Sequence, residues 1–226
     1  LYRVCWRFFG SRELYFRSGC YFWPRHHPYS FHKEKEENMT VSPRVLEIIK
    51  DGGIAILPTD TLYGLVGQAL QKKTVERIYL IRKRNPKKPL IILISNIKDL
   101  SRFGISLSPK EKSILTALWQ RPVSVIFSCN AKKFSYLHRG SKSLAFRVPK
   151  SKWLRTLISK TGPLVAPSAN PEGLKPARTV KAASNYFSDH VDFYLDGGAL
   201  NKKPSTIIRF KKGGFTLERK GETSEK

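Results

Sequence analysis

At three points along the chain a proline meets a hydroxyl side chain at the border of an apolar run: Leu57-Pro58-Thr59-Asp60-Thr61, Ala166-Pro167-Ser168-Ala169-Asn170 and Lys203-Pro204-Ser205-Thr206-Ile207. Proline has no N–H to give to a β-ladder, so each pair marks a place where strand pairing stops and backbone groups are freed. In α/β sheets ligands favour strand ends, where freed amides and short hydroxyls can converge on an anion. Charge is supplied elsewhere. Arg82-Lys-Arg-Asn-Pro-Lys-Lys88 places five cations among seven residues at the end of an amphipathic stretch, and Pro86 and Pro89 fix its path into the apolar run Leu90-Ile-Ile-Leu-Ile94. A cationic helix end answers the macrodipole in an ordinary way, but prolines beside a core strand give this cluster the setting of a phosphate clamp. Singly, the three bends read as Ser/Thr turns and caps. Together, beside the cations, they point to one anion-binding pocket.

The elements that must position these residues alternate between helix and strand. Ser42-Pro43 offers an N-cap and a first-turn proline, Val45, Leu46, Ile48 and Ile49 form a buried stripe, and Gly52-Gly53 supply a stop. A strand over 54–57 follows, then a helix over 73–84 with Val75, Ile78 and Tyr79 on one face, then a strand over 90–94. Ser108-Pro109 opens another helix that ends near Trp119. Strand signals stand at 123–127, 144–148, 164–166, 191–195 and 206–210, with helices near 151–160 and 179–187. The pattern predicts an α/β (α+β) domain. Neighbouring strand signals with no helix between 123 and 148 favour a mixed sheet over an all-parallel one.

Composition narrows the function classes. With 226 residues, 40% of them hydrophobic, the chain can build one sizeable core but is cramped for two domains. Its 42 Lys+Arg against 17 Asp+Glu give a net charge of +25, so anionic partners are expected. No uninterrupted apolar stretch approaches the roughly 18–20 residues that cross a bilayer, which excludes an integral membrane protein. Cys5, Cys20 and Cys129 form no CxxC or Cys/His cluster, so neither a disulfide scaffold nor a structural zinc site is supported and a reducing cytoplasm is expected. Residues 1–38 are rich in arginine and aromatics and end in the charged run Lys33-Glu-Lys-Glu-Glu. Arg3, Arg7, Arg12 and Arg17 interrupt every candidate secretory core, and the bulky aromatics with a late acidic cluster disfavour an organellar transit peptide. The expectation is a disordered or non-native N-terminal extension over 1–38, with translation starting at Met39 and the functional domain over 39–226. The extension holds 7 basic and 4 acidic side chains, so +22 stays with the domain.

Several familiar sites are missing. There is no GxxxxGK[ST] loop, and Gly64-Leu-Val-Gly67 is too short for the GxGxxG fingerprint. The domain holds only two histidines, His138 and His190; Asp189 beside His190 lacks a GxSxG elbow, and the pair reads as solvated helix-end residues. Asp60, between two threonines at a strand end, reads as a turn or cap that bonds its own backbone. No metal-ligand set is expected.

Five motifs in order then carry a resemblance. Pro58-Thr-Asp-Thr-Leu-Tyr-Gly-Leu65, Arg82-x-Arg84 with Lys88-Pro-Leu90, Ser168-Ala-Asn170, Asp196-Gly-Gly198 and Pro204-Ser-Thr-Ile207 match, from about residue 41 to 221, the YrdC-like threonylcarbamoyl-AMP synthases, and the chain resembles their short, single-domain form. The resemblance implies a single twisted mixed sheet with a large concave face. It implies formation of L-threonylcarbamoyladenylate and pyrophosphate from L-threonine, bicarbonate or CO2, and ATP, with Mg2+ carried by the ATP. The product then serves N6-threonylcarbamoylation of adenosine 37 in tRNA through the threonylcarbamoyl-transferase machinery. By position, it implies that Thr61, Tyr63, Arg147, Ala166 and Ser205 hold threonine, while Tyr63, an aromatic so near a core strand, reads equally as packing. Arg84, Lys88, Ser143, Ser168, Asn170 and Arg219 hold ATP, and Arg82, Arg84, Ser168 and Asn170 act in catalysis. The chemistry suits the composition: a threonine carbamate is already an oxygen nucleophile, so attack at the α-phosphorus asks mainly for in-line positioning and charge neutralisation. Poverty in histidine is then expected.

The chain departs from the family pattern at Arg82, where lysine is usual, at Trp119-Gln-Arg-Pro-Val-Ser124, where Trp-Pro-Gly-Pro-x-Thr is usual, and at Glu172 and Pro176, which replace common serines. No ligand role is carried onto Glu172 or Pro176. The alternative function is a non-catalytic RNA-binding module that reads the backbone and shape of tRNA or double-stranded RNA. A carbamoyl-transfer relative from hydrogenase maturation is disfavoured, because the chain has no Cys pairs for the accompanying zinc fingers.

Overall fold

The structure, a computed structural model, describes residues 40–211 and 214–221; the extension expected over 1–38 and the start at Met39 lie outside the described residues. Six α-helices are described: α1 (Pro43–Lys50), α2 (Lys72–Ile81), α3 (Pro109–Leu118), α4 (Ser135–His138), α5 (Lys152–Thr161) and α6 (Val180–Phe187). The strands are β1 (Ala55–Pro58), β2 (Tyr63–Gln68), β3 (Ile91–Leu93), β4 (Val123–Ser128), β5 (Ser143–Arg147), β6 (Leu164–Val165), β7 (Phe193–Tyr194), β8 (Thr206–Lys211) and β9 (Gly214–Arg219). They form one sheet in the order β7-β1-β2-β6-β3-β5-β4-β8-β9. Three pairs, β1 with β7, β3 with β5 and β4 with β8, are parallel and the others antiparallel, so the sheet is mixed as expected.

Helices cover both faces. Val45, Ile48 and Ile49 of α1 are buried at helical spacing, and Val45 and Ile49 pack with Trp153, Leu154, Leu157 and Ile158 of α5 against Leu57, Val66 and Leu93 on one face. Ser42 makes no side-chain cap bond, so proline and the apolar stripe start this helix without it. At α3 the hydroxyl of Ser108 and the carboxylate of Glu111 close a full capping box. The other face carries the larger core, in which Val75 and Ile78 of α2, Phe187 of α6, Phe103 and Leu137 meet Val125, Phe127, Leu144 and Phe146 of β4 and β5. Strand alternation then sends Ser124 and Ile126 of β4, and Ser143, Ala145 and Arg147 of β5, to the α1/α5 side. Part of that side is left open by the helices, and the polar side chains gather there.

Two strands exceed the expectation. β9 is an edge strand whose side chains are mostly exposed, so it lacks a hydrophobic alternation. β2 reads poorly because Gly64 and Gly67 lower its strand propensity. Gly67 is needed for close approach: a Cβ there would lie 2.5 Å from Cγ2 of Thr74 and 3.2 Å from Cδ1 of Ile78, where α2 crosses the strand. Thr74 cannot yield, because its hydroxyl bonds the carbonyl of Gly52 at 2.9 Å. Gly67→Ala is therefore expected to destabilise the domain by about 2 kcal/mol through overpacking. Urea unfolding measures it; an unchanged midpoint would show that α2 does not sit as tightly on β2 as described.

Candidate active site

The three proline bends meet. A cavity of about 200 Å³ is lined by Thr59 and Thr61, by Pro167 and Ser168, and by Pro204 and Ser205, together with Tyr63, Arg82, Arg84, Arg147, Ala166, Arg219 and the apolar side chains of Leu62, Pro89, Leu90, Ile91, Leu93 and Ile207. Sheet order explains the convergence. The turn after β1 leads straight into β2, and the segment after β6 continues alongside β2, where Leu65 N–H bonds the carbonyl of Pro167 and Ala169 N–H that of Tyr63. β5 brings Arg147 in at its C-terminal end, and the start of β8 brings Ser205 beside β4.

The first bend is tied by Thr59, whose hydroxyl accepts from the Thr61 and Leu62 amides and donates to the Leu62 carbonyl at 2.7 Å. Asp60 does not bond its own backbone, contrary to the expectation. Its Oδ2 lies 2.6 Å from Nη2 of Arg147, both side chains being 6% exposed, and it accepts from the Lys150 amide at 3.2 Å. The reason is register: Arg147 ends β5 opposite this turn and needs an anion where water is excluded. Arg147 also donates from Nη1 to the Thr61 hydroxyl at 3.2 Å, while its Nε has no partner among the described residues. The guanidinium is therefore held by charge and one hydroxyl with donor capacity unused.

Arg82 caps α2 and is 3% exposed. Its Nε donates to the Asn170 carbonyl at 2.8 Å and Nη2 reaches the Ser168 hydroxyl at 3.4 Å, leaving Nη1 buried and unpartnered among the described residues. Burial first, then the charge of Arg84, lowers its pKa to about 10, which still leaves it cationic at neutral pH. Arg84 is folded onto its own loop, donating from Nε to the Lys88 carbonyl at 3.1 Å and from Nη2 to the Pro89 carbonyl at 2.9 Å. Arg219 donates to the Ser205 carbonyl at 2.8 Å, and burial followed by the charge of Arg147 lowers its pKa. The Ser205 hydroxyl lies 3.0 Å from that of Ser124, itself fully buried. The ring of Tyr63 is fully buried, and its hydroxyl donates to the Gly198 carbonyl at 2.8 Å and accepts from the Gly197 amide at 2.9 Å; burial raises its pKa. Tyr63 thus anchors the Asp196-Gly-Gly198 loop to the cavity wall.

Nine of the sequence-identified residues line the cavity: Thr61, Tyr63, Arg82, Arg84, Arg147, Ala166, Ser168, Ser205 and Arg219. Three stand off it. Asn170 spends its amide on the carbonyls of Pro171 and Leu174, holding the loop after Ser168. The ammonium of Lys88 is ion-paired with Glu172 outside the lining. Ser143 starts β5 four residues before Arg147, about 13 Å along the strand on the same face. Residues given no site role beforehand also shape the site: Ser124, Lys202, whose Nζ donates to the Asp60 carbonyl at 3.1 Å, and Glu172. Ser124 had a readable signal, a polar residue in the otherwise apolar run Val123-Ser-Val-Ile-Phe127. The Asp189 and His190 side chains are 4.0 Å apart and largely exposed, as solvated helix-end residues.

Among the described residues, the wall of this cavity carries four guanidinium groups and no carboxylate, which suits a polyanion beside a small polar molecule. Comparison with known proteins gives this arrangement its context. The family profile Sua5/YciO/YrdC, described as Telomere recombination, matches residues 47–221. The threonylcarbamoyl-AMP synthase of Hahella chejuensis is 30% identical, over 73% of this chain and 90% of that protein. That of Marinobacter nauticus is 29% identical, over 75% and 94%. The crystal structure of P. abyssi Sua5 complexed with L-threonine superimposes with a TM-score of 0.72 at 26% identity, covering 79% of this chain and 53% of that one, so this chain spans about half of that Sua5.

Removing the charge of Asp60 leaves Arg147 buried without a counter-ion. Asp60→Asn is expected to cost about 2–3 kcal/mol of stability. Thermal unfolding reads it, and a melting temperature equal to that of the wild type would show that Arg147 does not depend on Asp60.

Proposed function

We propose a function on the premise that the chain belongs to the Sua5/YciO/YrdC family, whose profile covers residues 47–221: it is a threonylcarbamoyl-AMP synthase, a nucleotidyltransferase that uses L-threonine and ATP. The observation that carries this reading is the convergence of Arg82, Arg84, Arg147 and Arg219 with Thr61, Ser168 and Ser205 around one cavity. In the proposed reaction, the neutral amine of threonine forms a C–N bond to the carbon of CO2 and releases an N–H proton to solvent, or condenses with bicarbonate with loss of one water, and either route leaves a carbamate. A carbamate oxygen forms the new bond to the α-phosphorus, the bond from that phosphorus to the β-bridging oxygen breaks, and pyrophosphate leaves with the electron pair. No strong side-chain base is needed, since the carbamate is already anionic.

We assign the residue roles from the family resemblance, and the shared cavity supports them. Arg147, pinned by Asp60 and Thr61 with donors in reserve, takes the threonine carboxylate as a fork, while Thr61, Ser205 and the backbone at Ala166 hold the polar remainder and Tyr63 closes the wall. Arg82, Arg84 and Ser168 hold the phosphates, and their fixed donors stabilise charge as it shifts to the leaving pyrophosphate. Arg219 adds a further nucleotide contact, and Ser143 lies on the same face for the far end of ATP. Asn170 acts from behind, by shaping the Ser168 bend. Lys88 joins the phosphates at the mouth. Mg2+ arrives with ATP as part of the substrate, since Mg2+ commonly binds through substrate phosphates with few protein ligands. The adenylate supplies tRNA N6-threonylcarbamoylation, handed to the transferase machinery in the cytoplasm. Among the described residues no helix is long and apolar enough to cross a membrane.

Pyrophosphate release should require ATP, threonine and bicarbonate together. Arg147→Lys, which keeps the charge but loses the fork, is expected to raise the threonine KM about tenfold or more with little change in the ATP KM. Arg84→Ala should lower kcat/KM for ATP about a hundredfold. Release that ignores threonine would overturn the assignment, as would an Arg147→Lys defect confined to ATP.

A further inference from the structure

Glu172 makes more contacts with the basic loop than any role in a surface turn requires. Its amide donates to the carbonyl of Arg82 at 2.9 Å, one carboxylate oxygen accepts from the Asn85 amide, and the other pairs with the ammonium of Lys88. A single residue thus grips the first, fourth and seventh positions of the stretch 82–88. Two residues upstream on its own chain, the Asn170 carbonyl receives Nε of Arg82, and four upstream the Ser168 hydroxyl receives Nη2. The basic loop and the Ser168–Asn170 bend are otherwise separate excursions, more than eighty residues apart in sequence. The loop needs holding, because Lys83 sits at φ +49°, a conformation that L side chains seldom adopt, and Pro86 and Pro89 withdraw two amides from internal bonding. On its other side the same loop is tied by the Tyr79 hydroxyl, which donates to the Lys88 carbonyl at 2.9 Å and lies under the guanidinium of Arg139, 4.0 Å above the ring.

We propose that Glu172 is a positioning residue for nucleotide binding: it staples the basic loop to the Ser168–Asn170 bend, fixing the spacing between Arg82, Arg84 and Ser168, and it orients the Lys88 ammonium so that its remaining N–H donors face an incoming phosphate. This rests on the reading of the cavity as an ATP site. The Lys88 ammonium has three donors and uses one on Glu172, so phosphate can add without displacing the carboxylate. Bonding to Lys88 first, then to the Asn85 amide, lowers the Glu172 pKa to about 2, so the staple stays ionised through any working pH. Because this pKa is depressed below its unfolded value, the contribution is complete above the ordinary glutamate range and is lost only as pH falls toward about 2.

The test is steady-state kinetics with ATP and threonine varied separately, on wild type, Glu172→Ala and Glu172→Gln. The alanine variant is expected to raise the ATP KM about tenfold, as loss of charge-assisted hydrogen bonds allows, with the threonine KM within about twofold and any fall in kcat smaller than the rise in the ATP KM. Glutamine keeps an acceptor oxygen without the charge and should fall between the two, with the same ratio to wild type at pH 6 and pH 9. A thermal melt shared by all three proteins shows that the kinetic change is local. An unchanged ATP KM overturns the proposal; so does a lowered one, which would make Glu172 a competitor of phosphate, and so does an equal loss for both substrates. Wild type that releases no pyrophosphate would refute the synthase reading instead. In that event ATP binding by calorimetry decides the staple alone, with about tenfold weaker binding to Glu172→Ala supporting it and equal binding overturning it.

Discussion

Guanidinium groups are costly to bury together, and the fold holds Arg82, Arg84, Arg147 and Arg219 around one cavity whose wall, among the described residues, contains no carboxylate. Desolvation and mutual repulsion both oppose their charged forms, as the lowered pKa values of Arg82 and Arg219 record. Each is kept in place by neutral acceptors: the carbonyls of Asn170, Lys88, Pro89 and Ser205, and the hydroxyls of Thr61 and Ser168. Two carboxylates act on the group from outside the lining: Asp60 pairs with Arg147 at 2.6 Å, and Glu172 sits on the loop that carries Arg82 and Arg84. A cavity built this way is short of negative charge and supplied with fixed donors, the condition under which an anionic substrate and its transition state gain most.

Most of the architecture serves that arrangement. Short strands ended by proline leave backbone groups and hydroxyls free at the cavity instead of committing them to the ladder. Gly67 lets α2 lie close on β2, and α2 ends in Arg82, so a packing detail in the sheet sets where the first cation stands. Ser124, fully buried, backs the Ser205 hydroxyl that lines the cavity. On the opposite face, Phe103, Phe127 and Phe146 pack edge-on and tilted in the larger core, giving β4 and β5 a rigid backing.

The sequence and the structure agree where chemistry and local pattern coincide. The proline-hydroxyl bends and the Arg82-Lys88 run stand out by residue type alone, and helices with a strong apolar stripe, such as α1 and α5, are visible to within a residue or two. What is not visible depends on partners far away in the chain. Asp60 looks like a turn residue until β5 brings Arg147 beside it, because nothing within its own neighbourhood names a partner eighty-seven positions later. Tyr63 reads equally as packing or pocket, and it is both, since its ring is buried while its hydroxyl ties the Asp196-Gly-Gly198 loop. β2 is hidden by its glycines, of which Gly67 makes its packing possible. Glu172 stands in an exposed turn motif, and its grip on the basic loop emerges only when the two excursions fold together.

The central claim is that this cation-lined cavity joins a threonine carbamate to the α-phosphorus of ATP. Mass spectrometry of the small-molecule product formed from ATP, L-threonine and ¹³C-bicarbonate tests it most directly. The account predicts threonylcarbamoyl-AMP that carries the isotope in its carbamoyl carbon and is absent when threonine is omitted. An adenylate without the label, or no adenylate from folded protein that binds ATP, would contradict it.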